Sequence, residues 1–363
     1  WQVLMHAFNS CAPYEVGVLK FAECMQVNEP CLIDNVTVGG AVSKWVKGDS
    51  LDVERIVREY GSCQVPIVGA RCEECFASGQ EASEAVAETA DCFNARLSDY
   101  FGCWRKHRPL CGYLKDWHGA LEHKRLFGAD SVLYDTPVYF MDDWLNGYLD
   151  LHGNQDYRFV YCGPQGSKTG LHHDVFLSFS WSLNVVGTKL WILYPPEQKQ
   201  YISGVQSVPG LDDKVISWFR AGQDMTALEN IVKDSSSKHP QLHKTNPIVI
   251  VQKAGQAIFV PTNWFHQVHN LEDTLSINHN WFNRHNLTQV HEHLVKEHKA
   301  TKFALRDCRN PDLQPEEDTE WLDIVENIMK LNTGINMSEW KELLKWKAET
   351  TQNNLDQAAI QLL

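Results

Sequence analysis

The chain has 363 residues, of which 43% are hydrophobic and 22% charged, as expected for a globular protein with a substantial buried core. Its formal net charge of −13 argues against a general binder of nucleic acid or of anionic membranes, and weakly favours a basic protein partner. No apolar run of about eighteen residues and no signal-peptide pattern occurs, and eleven scattered cysteines indicate reduced thiols, so we expect a cytoplasmic protein, with nuclear residence as the alternative.

Residues 1–116 are predicted to form an α/β support region rather than a site of chemistry. In chain order the patterns predict a strand at 31–33, an amphipathic helix that Ser50 precedes and Gly61 closes, and an edge strand at 65–69. Residues 76–92 are predicted to form a surface loop or a weak helix, and a packed helix is expected within 93–107. The edge position follows from Pro66, because proline cannot donate within a central ladder. Cys72 and Cys75 lack a second pair at similar spacing, so free thiols are favoured over zinc.

The next stretch leads into a core predicted over residues 117–285. The sequence YLKDW from Tyr113 indicates a strand or turn, residues 138–141 are strand-like, and Asp142 to Trp144 open a short helical element. Residues 156–162 alternate aromatic side chains on one face, which predicts a further strand that stops at a Gly-Pro pair.

The stretch from Thr169 to Lys189 carries the strongest signal. His172 and Asp174 are two residues apart, and strand side chains repeat with period 2, so both would point to the same face of a strand. Beyond them the odd positions 179–185 are apolar and the even positions 178–184 are polar. That alternation predicts a strand with one packed and one polar face.

The rest of the core surrounds an insert at residues 197–247. Before the insert, residues 190–194 predict a strand covered on both faces. Within it, a short helix is expected around residues 227–232. After it, residues 248–252 and 257–260 predict a hairpin about Gly255 that delivers the chain to a turn at 261–264 and then to His266.

Residues 286–363 change to helical periodicity. One helix carries Val290 and Leu294, a second begins at Pro315, and a third begins with a capping-box pattern from Asn336 to Glu339. We expect these helices to pack on the core. Their apolar faces could also support a homodimer.

Two histidines and one carboxylate form the facial triad that holds Fe(II) and leaves positions open for a co-substrate and O₂. His172, Asp174 and His266 supply that set. A single His-x-Asp occurs often by chance, and a lone histidine is usually structural, so the prediction depends on the joint pattern. Strand parity places His173 and His269 on the opposite face from the ligands. These two histidines and His279 are left out of the triad.

These motifs resemble those of the Jumonji-C family of iron- and 2-oxoglutarate-dependent oxygenases. The resemblance implies a mainly β fold with α, in which a double-stranded β-helix, or cupin-like jelly roll, has N-terminal α/β support and C-terminal helices. It implies Fe(II), the co-substrate 2-oxoglutarate and O₂, with His172, Asp174 and His266 as the metal ligands and catalytic centre. In this family inserts such as 197–247 often border the substrate entrance; an elaborated loop is the alternative.

The resemblance also implies residues that bind the co-substrate. Lys189 would bind the far carboxylate of 2-oxoglutarate, and Thr169 would make a second contact. The alternative for Lys189 is that it lies at a solvated strand end. Further candidates, with plain packing as their alternative, are the side chains of Tyr113, Trp181, Ser182 and Asn278. Asn280 could support them from the same face of its strand. The chain departs from common family patterns at Gln256 and Phe265, neither of which is a ligand.

The stretches FLSFSWSLN and WFHQVHNLEDTLSINHNWFN are most similar to a lysyl hydroxylase group of this family. That resemblance implies hydroxylation of a lysine side chain in a protein substrate, the eukaryotic translation termination (release) factor. One alternative is a histone N-methyl-lysine demethylase, although no zinc finger or reader module is visible and such enzymes frequently have Glu in place of Asp174. The other is a non-catalytic scaffold.

Overall fold

The computed structural model describes residues 6–9, 14–69, 92–107, 112–153, 155–208 and 210–361, of which 6–9, 14–18 and 107 are described by their backbone alone. The strands are β1 (His6–Asn9), β2 (Cys31–Asp34), β3 (Val46–Lys47), β4 (Ser50–Leu51), β5 (Gln64–Val68), β6 (Cys92–Arg96), β7 (Tyr113–Trp117), β8 (Arg158–Gly163), β9 (Lys168–His172), β10 (Phe179–Val186), β11 (Lys189–Tyr194), β12 (Ile248–Gln252), β13 (Ala257–Val260), β14 (Phe265–Asn270) and β15 (Thr274–Trp281). The helices are α1 (Tyr14–Val27), α2 (Val53–Tyr60), α3 (Leu97–His107), α4 (Gly119–Phe127), α5 (Trp144–His152), α6 (Lys199–Ile202), α7 (Asp212–Arg220), α8 (Met225–Ser237), α9 (Leu287–Ala304), α10 (Thr319–Thr333), α11 (Met337–Thr350) and α12 (Asn354–Gln361).

Two sheets form the jelly roll. The larger has the strand order β1-β2-β13-β10-β15-β8-β7-β5-β6, and the smaller has the order β12-β11-β14-β9. From β8 to β11 and again from β12 to β15, the chain alternates between the two sheets. A cluster of buried residues from both sheets, including Leu32, Trp191 and Val260, fills part of the space between them. The predicted jelly-roll core is therefore confirmed.

Three further apolar clusters cover the outside of this core. The largest joins the N-terminal elements to the outer face of the large sheet, through residues such as Trp45, Trp181 and Phe259. The insert helices α6 to α8 cover the outer face of the small sheet with residues such as Trp218 and Leu228. In the third cluster, helices α9 and α11 pack against α5. The boundaries proposed from sequence at 116, 197–247 and 285 stay predictions.

Several local predictions in the N-terminal region need correction. The strand at 65–68 is not an edge, because β5 lies between β6 and β7; the ladder to β7 includes only Ile67 and Val68, so it stops short of Pro66. The helix begins at Val53 and is capped by Asp52, whereas Ser50 belongs to β4. Residues 76–91, Cys72 and Cys75 lie outside the described residues.

Corrections in the core concern strand partners and parity. Residues 248–252 and 257–260 do not form a hairpin, since β12 pairs with β11 and β13 pairs with β10 and β2. A bulge in β10 puts Val186 rather than Val185 into the fully buried core, because one extra residue reverses the alternation. Residues 138–140 form a 3₁₀ turn instead of a strand.

In the C-terminal region the second helix begins at Thr319, four residues after Pro315, with Asp318 as its N-cap. The capping box of Asn336 and Glu339 is present at the start of α11. Within the described part of the chain, no helix combines the length and the apolar character needed to cross a membrane.

Candidate active site

Three potential metal ligands converge between the two sheets. His172 ends β9 and lies directly opposite His266 of the neighbouring strand β14. One ligand atom from each of His172, Asp174 and His266 lies within 4.8 Å of the other two. Asp174 is not on the same strand as His172, contrary to the sequence prediction. It stands in the turn that follows, in which Phe176 and Leu177 adopt positive φ angles of 39° and 58°.

Backbone and side-chain contacts orient each ligand. His172 Nδ1 donates to the carbonyl oxygen of Gly170 at 2.8 Å, and His266 Nδ1 is 3.2 Å from the carbonyl oxygen of Trp264. Since a carbonyl oxygen can only accept, Nδ1 carries the proton and Nε2 is left with a lone pair for a metal. Ser180 Oγ donates to Asp174 Oδ2 at 2.7 Å, so the other carboxylate oxygen is available.

The electrostatics suit a divalent cation. Burial, followed by the adjacent His266, lowers the pKa of His172 to about 3, so this imidazole is neutral at physiological pH. A neutral imidazole is the form that binds a metal. Two neutral imidazoles and one carboxylate are the donor set of non-haem Fe(II) sites. The residues present therefore fit ferrous iron.

Lys189 lies in the same cavity as the triad. Its side chain is only 1% exposed, and Nζ donates to Ser276 Oγ at 2.8 Å and lies 3.4 Å from the hydroxyl of Tyr113. Burial lowers the pKa of Lys189 to about 7. No carboxylate pairs with it among the described residues. A buried ammonium of this kind fits a carboxylate ligand, and the solvated strand end considered from sequence is wrong.

The other candidate co-substrate residues also border the cavity. The lining includes Tyr113, Thr169, Trp181, Ser182 and Asn278. The hydroxyl of Ser182 is buried without a hydrogen-bond partner, which leaves it free to bind a polar ligand. The indole of Trp181 instead packs in the core, stacked on Phe140 at 4.7 Å between ring centroids. The roles of these residues toward 2-oxoglutarate stay predictions.

The surplus histidines take part in other contacts. His173 Nδ1 contacts the carbonyl oxygen of Asp174 at 2.9 Å, and its ring is 4.9 Å from that of Phe265. On the opposite face of β14 from His266, His269 contacts Gln267 at 2.6 Å. His279 contacts the hydroxyl of Tyr134 at 2.8 Å in the core. None of the three belongs to the group of ligand atoms.

Sequence reasoning missed several residues of the site. Ser180, Tyr161 and Trp191 line the cavity, and Ser276 binds Lys189. Asn280, which the sequence offered as a supporting residue, also lines the cavity. The period-2 pattern could have indicated Ser180 and Ser276, because they share a strand face with Ser182 and Asn278 respectively. The described residues of the insert 197–247 are absent from the cavity lining.

The comparisons with known proteins agree with this site. A family model described as "Cupin-like domain" matches residues 18–287. A protein of Gallus gallus named 2-oxoglutarate and iron-dependent oxygenase JMJD4 is 34% identical over 361 residues, covering 93% of this chain and 74% of the relative. The Homo sapiens protein of that name is 33% identical over 360 residues, covering 95% and 77%. A protein of Arabidopsis thaliana named Arginine-specific demethylase JMJ20 is 38% identical over 248 residues, covering 63% and 47%.

The chain therefore belongs to the cupin-like Jumonji-C family of 2-oxoglutarate- and iron-dependent oxygenases. Its most extensive matches include the relatives named JMJD4.

Proposed function

We propose that this oxygenase hydroxylates a lysine side chain of a protein substrate, and that the substrate is the eukaryotic translation termination (release) factor. The observation that carries the oxygenase chemistry is a two-histidine, one-carboxylate triad beside a buried, unpaired lysine in one cavity. The lysine target and the release factor are supported by the resemblance of the stretches around Trp181 and His266 to the lysyl hydroxylase group.

Each residue has a distinct part in this proposal. His172, Asp174 and His266 would hold Fe(II) through two Nε2 atoms and a carboxylate oxygen. When bound, the iron with 2-oxoglutarate and O₂ would supply the oxidation of an unactivated C–H bond, with succinate and CO₂ as co-products. Lys189 would bind the far carboxylate of 2-oxoglutarate and so fix its orientation. The buried part of the cavity lining, which includes Ser182 and Lys189, would limit the access of bulk water to the reacting groups.

The proposal is tested by mass spectrometry. The release factor and methylated histones are incubated separately with enzyme, Fe(II), 2-oxoglutarate and O₂, and His172→Ala serves as the control. A gain of one oxygen on a release-factor lysine, absent from the control, supports the proposal. Succinate formation above the control without any modified lysine on the release factor contradicts the proposed substrate.

Demethylation is the second candidate, because one relative is named an arginine-specific demethylase. The same triad would oxidise an N-methyl group, and the methyl group would then be lost. In the assay above, loss of a methyl group from lysine or arginine, rather than retention of an added oxygen, would identify this reaction. The non-catalytic scaffold considered from sequence is set aside, since the triad and Lys189 are all in place.

Cytoplasmic residence belongs to the same proposal, because translation termination takes place in the cytoplasm; the nuclear alternative and the homodimer stay predictions. The partner in this proposal is a protein rather than nucleic acid or a membrane.

A further inference from the structure

Strand β7 contains an extra residue beside the active-site cavity. Its pairing with β8 passes from Leu114↔Cys162 to Trp117↔Val160, so three steps along β7 match two along β8. The irregularity falls at Lys115 and Asp116, and Asp116 has a φ of 58°. Left-handed φ is uncommon outside glycine, although aspartate tolerates it, and bulges re-aim side chains next to active sites. The extra residue frees Asp116 from the regular strand alternation.

The bulge places the carboxylate of Asp116 at the edge of the metal cavity. The hydroxyl of Tyr161 donates to Asp116 Oδ1 at 2.5 Å, and Tyr161 lines the cavity together with His172 and Asp174. Asp116 is exposed. Its second oxygen has no hydrogen-bond or ion-pair partner among the residues that the structure describes. A carboxylate held in one orientation, with one oxygen open, is suited to bind a cation that enters from solvent.

The neighbouring groups leave this oxygen open. Lys115 Nζ lies 5.8 Å from the centroid of the Tyr161 ring, over its face, whereas Asp116 binds the hydroxyl of the same ring. No ion pair joins Lys115 to Asp116 within the described part of the chain. Burial and the nearby Asp116 raise the pKa of Tyr161, so the phenol keeps its proton and continues to donate. Phe159, whose ring centroid lies 6.4 Å from that of Tyr161, extends the aromatic wall.

We propose that Asp116, positioned by Tyr161, is the specificity residue that binds the ε-ammonium of the substrate lysine at the entrance to the cavity. This inference rests on the proposed lysyl hydroxylase function and assigns a residue to the recognition of its substrate. The carboxylate selects a cationic side chain over a neutral one, and the aromatic wall packs against the aliphatic part of the lysine.

A binding experiment tests the inference without turnover. The protein is loaded with Mn(II), and broadening of the ε-CH₂ proton signals is measured by NMR for lysine blocked at both its α-amino and carboxyl groups, with His266→Ala as the background. Asp116→Asn keeps an acceptor for Tyr161 but removes the charge. Asp307→Asn removes a carboxylate whose side chain is 83% exposed outside the cavity.

We expect wild type and Asp307→Asn to bind blocked lysine alike, and Asp116→Asn to bind it about 10- to 100-fold more weakly, as for loss of a hydrogen bond to a charged group. The same probe acetylated at Nε should bind wild type as weakly as the unmodified probe binds Asp116→Asn. Equal binding of unmodified lysine by wild type and Asp116→Asn overturns the inference, and so does equal binding of both probes by wild type.

The hydroxylation assay separates this inference from the proposed function. With the release factor as substrate, Asp116→Asn should raise KM by about 10- to 100-fold while kcat changes less, because the lost contact is made in binding. If the release factor is hydroxylated and this KM is unchanged, the inference fails and the proposed function stands. If the release factor is not hydroxylated but lysine binding depends on Asp116, the proposed substrate fails and the recognition of a lysine cation stands.

Discussion

Replacement of Lys189 by methionine separates the stability of the fold from the binding of the co-substrate. Burial lowers the pKa of this lysine from 10.5 to about 7, so the folded protein at lower pH contains an unfavourable buried cation. A shift of this size corresponds to about 5 kcal/mol of lost stability when the group is fully protonated. Methionine fills a similar volume without the charge, although Ser276 loses a hydrogen bond worth about 1 kcal/mol.

The pH dependence gives the sign of the effect. Between pH 7 and pH 10.5 the unfolded chain still holds the proton that the folded protein has released, so the stability of wild type rises with pH over this window. The free energy of unfolding that Lys189→Met gains over wild type should therefore be about 3–5 kcal/mol at pH 6. This gain should shrink toward zero as the pH approaches 10.5, the pKa of lysine in the unfolded chain. Urea unfolding of the metal-free protein, without co-substrate, at pH 6 and at pH 9.5 measures this difference.

The same substitution should weaken the binding of 2-oxoglutarate. Once the co-substrate is in place, removal of its cationic partner leaves a buried carboxylate unpaired, at a cost of about 3–5 kcal/mol, and Lys189→Ala should behave likewise. Titration of 2-oxoglutarate into metal-loaded protein gives the affinity, and the exposed Lys253→Met is the control. Unchanged affinity in Lys189→Met would refute the proposed role of the ammonium. A variant less stable than wild type at pH 6 would refute the electrostatic reasoning.

Three further substitutions test the site and its support. His266→Ala should abolish stoichiometric Fe(II) binding, measured by anaerobic titration. His269 lies on the other face of the same strand, so His269→Ala should retain one metal per chain. Loss of metal binding in both variants would contradict the assignment. Ser180→Ala should weaken metal affinity about 10- to 100-fold, because the carboxylate ligand loses its orienting donor; unchanged affinity would show that the contact does not orient it. Gly187→Ala should destabilise the protein by at least about 2 kcal/mol, because φ is 81° and a Cβ would lie 2.2 Å from a backbone oxygen. Gly48 has a φ of 62° but open space around it, so Gly48→Ala should lower the free energy of unfolding by less. Both are measured in the same urea unfolding assay.

Local sequence patterns were sufficient to predict most of the core strands. The alternation after Ser178 and the apolar run from Leu190 each depend on burial of adjacent residues, which the sequence records directly. The pairing of strands depends on residues far apart in the chain. The hairpin about Gly255 was wrong for this reason, because the same two strands and turn are compatible with a crossing from one sheet to the other.

The candidate site was predictable where residue types alone restrict the chemistry. His172, Asp174 and His266 form a donor set that few other functions require, and the structure brings them together although Asp174 has left the strand. Asp116 carried no such signal. The position of Asp116 depends on an extra residue in the pairing of β7 with β8, which period-2 counting cannot detect.

The insert at 197–247 has a consequence for attempts to shorten this enzyme. Its helices cover the outer face of the small sheet and bury Leu190 and Ile192 of β11. These two residues alternate along the strand with Lys189 and Trp191, which face the cavity. Trimming the insert to a short linker would expose an apolar surface directly behind the strands that carry Lys189 and His266. A minimal version of this oxygenase would therefore have to keep the insert, or replace it with another apolar cover, even though the described part of the insert does not line the cavity.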